Sequence, residues 1–63
     1  MNMLDKNFKT EEDGMKQLQK AVSLRDQMGG ALYWDILNDD CYEIAEKLVS
    51  IGAERSKVFA LLR

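Results

Sequence analysis

An all-α fold, a small helical hairpin plus a short third helix completed by oligomerisation, is predicted by three features of the sequence. The first is an apolar seam, Trp34, Leu37, Cys41, Ile44, Leu48 and Ile51, whose spacing alternates between three and four residues. That rhythm is the stripe of a helix that lies along another helix. The second is composition. There is no Pro and there are only four Gly, while Glu, Lys, Leu, Ala and Gln, all good helix formers, are plentiful. The third is punctuation: Gly29-Gly30 and Gly52 divide the chain, and glycine readily takes the left-handed cap that ends a helix.

The elements follow in order. Met1 to Lys9 carry no sustained period, although Leu4 and Phe8 stand one turn apart. Residues 1–9 are therefore expected as a flexible leader, and residues 10–63 as one helical domain. Thr10 is a good N-cap, and Glu11, Glu12 and Asp13 after it suit the positive end of a helix. The first helix is predicted from about Glu11 to Met28, with Met15, Leu18, Ala21, Val22, Leu24 and Met28 on a broad apolar face. Gly14 in its first turn weakens it by ~1 kcal/mol relative to Ala. Gly29-Gly30 allows a tight reversal into a second helix, about Ala31 to Ile51. This helix carries the seam, widened by Tyr33 and Ala45. Tyr33, Trp34 and Ile36 favour strands, so a strand over Ala31 to Leu37 competes. The helix is preferred because the three-four spacing runs unbroken through Trp34 and Leu37. Gly52 ends the second helix. Glu54 to Arg63 reads as the third, with Val58, Leu61 and Leu62 on one side and Phe59 alongside.

Size makes the seam matter. A core built from 63 residues rarely gives more than ~3–5 kcal/mol without a disulfide, a metal or association. One Cys and no His exclude an internal disulfide and a four-ligand zinc set. Association is the staple left. The formal charge is −2 and the isoelectric point about 4.9, which argues against wide phosphate binding. No apolar run approaches the ~18 residues of a membrane span. The first residues have no apolar core of the signal-peptide kind. The expected location is cytoplasmic, where a reduced Cys41 fits.

Catalysis is not expected. Cys41 has no His to activate it and lies on the seam, where a free cysteine behaves as a small hydrophobe. Ser23, Ser50 and Ser56 have no base in any motif; Ser50 and Ser56 flank a helix break, where hydroxyls cap ends. Gly29-Gly30 lacks the spacing and the Lys of a phosphate loop, and no cofactor is expected. Carboxylates one turn apart can touch a cation, but no loop or His completes a metal shell. What remains is contact with a protein. Trp34, Leu37, Cys41, Ile44, Leu48 and Ile51 are the expected partner-binding residues, with Val58 and Leu62 closing the hairpin. The partner is a second copy or a larger regulator, and the seam alone leaves both open.

Two other surfaces stay as alternatives. Asp35, Asp39, Asp40, Glu43 and Glu46 occur with no basic residue between Leu32 and Glu46. They read as a solvated outer face, or as an acidic decoy for a basic partner. Ile51-Gly52-Ala53 followed by Val58 and Leu61 has the outline of a DNA-binding helix-turn-helix. Arg55, Lys57 and Arg63 would be its nucleic-acid contacts.

The stretch Leu37-Asn38-Asp39-Asp40-Cys41-Tyr42-Glu43-Ile44, continued through Gly52-Ala53-Glu54-Arg55-Ser56-Lys57-Val58 and Leu62, resembles the Sin repressor/antirepressor dimerisation hairpin. Cys41 stands where that family carries Trp. The resemblance covers Leu37 to Leu62. It implies a pair of helices whose apolar face is completed by another chain, and a regulator that sequesters its partner by that pairing.

Overall fold

The computed structural model describes residues 6–27 and 31–63. The described residues form three helices: α1 (Glu11–Gln27), α2 (Ala31–Ser50) and α3 (Arg55–Ala60). The fold is all-α, and the described residues contain no strand. Ala31 to Leu37 is the start of α2, so the helical spacing prevails over local strand propensity there. Met1 to Asp5, Met28 and the Gly29-Gly30 reversal lie outside the described residues.

Helix α1 starts as its cap requires. The Asp13 amide donates to Thr10 Oγ1 over 3.2 Å, and the Gly14 amide donates to the Thr10 carbonyl over 3.0 Å. Two contacts orient α1 against α2. Gly14 faces Leu48 near the end of α2, and Arg25 reaches Asn38 and Trp34 near its start. The two helices therefore run antiparallel. The Cα extents are 33 × 26 × 13 Å.

The end of α2 is built by Gly52. The Gly52 amide donates to the Val49 carbonyl over 3.1 Å, and the Ala53 amide to the Leu48 carbonyl over 3.0 Å. This pair of bonds is the Schellman motif. It places Gly52 at φ +114°, where an L side chain is strained. Buried Ala53 and Leu48 supply the apolar contact that accompanies the motif. α3 is shorter than its sequence pattern predicts. After Ala60 the amides of Leu61, Leu62 and Arg63 bond three residues back, to Val58, Phe59 and Ala60, as in a 3₁₀ turn. Val58 and Leu62 are still buried, and the Phe59 ring lies 5.8 Å from that of Tyr42.

One cluster forms the core: Phe8, Leu18, Ala21, Cys41, Ile44, Ala45, Leu48, Ala53, Val58 and Leu62. Phe8 corrects the expectation of a leader up to residue 9, because it is only 4% exposed. The physical reason is Gly14. A Cβ built there would collide with Leu48 Cδ2 and lie 2.5 Å from Phe8 Cε1. The missing side chain is the space the Phe8 ring fills, and the helix-propensity cost of Gly14 is offset by that packing. Polar contacts hold the same segment. Lys6 Nζ donates to Asp40 Oδ1 over 2.7 Å and to Glu43 Oε1 over 3.2 Å. Lys47 Nζ donates to the Lys6 carbonyl over 2.6 Å and lies 5.2 Å from the Phe8 ring centre.

Candidate protein-interaction surface

The seam of α2 divides into two parts. In the C-terminal part, Cys41, Ile44 and Leu48 are fully buried within one chain. Leu18 and Ala21 of α1, Phe8 before it, and Val58 and Leu62 after Gly52 share their cluster. These five of the predicted partner contacts, Cys41, Ile44, Leu48, Val58 and Leu62, are thus core residues. The chain covers them itself, because Phe8 and α3 add to α1 the apolar area that α1 lacks.

The N-terminal part is different. Leu32 is 71% exposed, Tyr33 61%, Ile36 52% and Trp34 39%, while Leu37 is half-buried. α1 explains the change. Its apolar positions Leu18 and Ala21 lie over the C-terminal part of the seam, and the next position on that face is Arg25. Ile51, the last residue of the predicted seam, is exposed in the turn after α2.

Arg25 is the residue that reading the sequence missed. It is 4% exposed, at the end of the spacing Gly14, Leu18, Ala21, Arg25 that marks the buried side of α1. That spacing was the available signal, masked by the charge. Its Nη1 donates to Asn38 Oδ1 over 2.8 Å and its Nε to Asp26 Oδ1 over 3.0 Å. Its guanidinium carbon lies 5.0 Å from the Trp34 ring centre, within cation–π range. A buried charge needs such partners, and removing one of them costs more than the pair is worth. Arg25 therefore fixes the side of Trp34 that faces α1. Leu32 and Ile36 project elsewhere, since they are a turn apart on another stripe of α2.

Charge surrounds the exposed apolar residues. Asp35 and Asp39 are exposed and, at i+3 from Leu32 and Ile36, lie beside them. Asp40 and Glu43 continue the acidic side and hold Lys6. The carboxylates, Asp40 foremost through its hydrogen bond, push the Lys6 amine above its ordinary pKa. Glu46 lies 3.4 Å from Arg55 Nη2. In the basic tip, Arg55 also lies 4.9 Å from the Phe59 ring centre, while Lys57 and Arg63 are exposed. Burial pushes the Cys41 thiol up, against a lowering by Arg25. Its buried Sγ is poorly suited to nucleophilic attack. The hydroxyl of Ser50 donates to the Lys47 carbonyl over 2.6 Å, and that of Ser56 to Glu54 Oε2 over 2.7 Å. Both act locally around the Gly52 turn.

Among the described residues, no three His, Cys, Asp or Glu side chains are placed to hold a metal ion. No described helix is long and apolar enough to cross a membrane. Compared with protein-family models, with curated proteins and with solved structures, the chain matches none.

Proposed function

We propose that this chain is a non-enzymatic, all-helical protein-interaction module of the cytoplasm, a regulator that docks on a protein and blocks it. One observation carries the reading. Leu32 and Ile36 stand exposed one turn apart with Tyr33 exposed beside them, on a helix whose other half is closed. Clustered apolar exposure of this kind marks contact surfaces on small proteins, and aromatic anchors dominate the energy of such contacts. The reading keeps the mode implied by the Sin-like resemblance, a helix completed by another chain, but moves the contact to the first two turns of α2.

The helix-turn-helix alternative draws less support, since Arg55 is engaged by Glu46 and Phe59 and α3 has six residues. The test is affinity capture with mass spectrometry beside sedimentation of the pure chain, comparing the natural sequence with Ile36→Asp. A folded Ile36→Asp chain that loses the captured protein, or loses a dimer that the natural chain forms, agrees with the proposal. A folded variant with the same captured proteins and the same sedimentation contradicts it.

A further inference from the structure

We infer that the occupant of this surface is a basic amphipathic helix of another protein, seated along α2 from Leu32 to Glu43. The inference rests on the interaction reading above and names the partner's chemistry.

The first argument is shape. Leu32 and Ile36 form an exposed apolar row one turn apart, with Tyr33 beside it. The backbone of α2 is internally bonded and offers no sheet edge, so a partner must meet side chains by packing ridges against ridges. From Leu32 to Glu43 the axis rises by roughly 16 Å, about three helical turns. A partner helix of that length needs two apolar anchors one turn apart, followed by cations.

The second argument is charge. Asp35 and Asp39 border the row, and Asp40 and Glu43 close its C-terminal end. No Lys or Arg occurs from Asp26 to Glu46. The chain already seats one ammonium on this end, Lys6 Nζ on Asp40 and Glu43. Asp39 and Asp35 offer the same chemistry one and two turns before Glu43, beside the apolar row. The same charge disfavours other occupants. A symmetric pairing with a second copy would set the acidic rows against each other, which costs specificity energy across an interface. Phosphate-bearing nucleic acid and anionic membranes are repelled in the same way.

The test titrates the intact chain with two synthetic 18-residue helical peptides that share one Leu pattern, one with Lys and one with Glu at the polar positions. Isothermal titration calorimetry reports binding. The Lys peptide is expected to bind and the Glu peptide not to. Asp35→Asn with Asp39→Asn should weaken the Lys peptide by about tenfold. Glu11→Gln with Glu12→Gln, an equal change of charge away from the row, should leave it unchanged. Ile36→Ser should abolish binding while the thermal melt stays where it was.

Equal binding of both peptides through Ile36 overturns the charge argument and leaves the interaction reading standing. Equal loss with the Glu11 and Glu12 pair makes the attraction a bulk effect and also overturns the proposal. Binding of neither peptide overturns it too. So does self-association of the pure chain that Ile36→Ser breaks, because the surface then belongs to a second copy.

Discussion

The two halves of α2 share one helix, and their large apolar side chains end in opposite states. From Cys41 to Leu48 the seam residues are fully buried. From Leu32 to Ile36, Leu32, Tyr33 and Ile36 are in water and Trp34 is partly covered by Arg25. What differs is the material opposite. The C-terminal half meets Leu18 and Ala21, the Phe8 ring in the gap left by Gly14, and Val58 and Leu62 folded back by the Gly52 turn. The N-terminal half meets Arg25, a cation that holds Trp34 and Asn38 and covers little else. An apolar period thus records which side of a helix avoids water. It does not record whose atoms cover that side.

Substitutions break the comparison at its two ends. Leu48→Asp should unfold the chain at any concentration. Burying a carboxylate without a partner costs more than the ~3–5 kcal/mol such a core supplies. Circular dichroism would show loss of helix rather than a folded monomer. Phe8→Ala should cost about 3 kcal/mol, read as a fall in the denaturant midpoint. An unchanged midpoint would return residues 6–9 to the status of a leader. Gly14→Ala sharpens the same point, because helix propensity alone would stabilise by ~1 kcal/mol. Overpacking against Phe8 and Leu48 should instead give a net loss of ~1–3 kcal/mol.

A smaller effect depends on pH. The folded state holds the Cys41 thiol above its ordinary pKa of 9.0. The unfolded chain therefore releases that proton first. The stability linked to Cys41 is full below the ordinary thiol pKa and falls as the pH rises above it. Lys6 acts in the same direction in a higher range. Its raised folded pKa gives stability that is present below its ordinary 10.5 and lost as the pH rises through the folded value. Alkaline melts of Cys41→Ala should lack the earlier part of this loss, while Lys6→Met should lack the later part.

Much of the fold is legible in the sequence for local reasons. Thr10 caps α1 by a bond three residues long, Gly52 ends α2 through its own φ, and the three-four spacing overrides the strand propensity of Tyr33 and Trp34. Phe8 was not legible because its burial depends on Gly14 and on Leu48, forty residues away in sequence. Arg25 was hidden because a charge on a buried stripe reads as an interruption until Asn38 and Trp34 are seen around it. The candidate surface was half legible. Trp34 and Leu37 belong to the predicted contact and Tyr33 to its widened stripe, whereas Leu32 and Ile36 stand out only once the rest of the seam is covered.

The most direct measurement is a pair of thermal melts, Ile36→Asp and Ile44→Asp, on the same helix two turns apart. Ile36→Asp should melt within about four degrees of the natural chain, as an exposed substitution costing under ~0.5 kcal/mol does in a domain of this size, and Ile44→Asp should have no folded baseline. Equal loss of structure in both would mean that the first turns of α2 are as much a part of the core as the last, and would contradict the division on which the interaction surface rests.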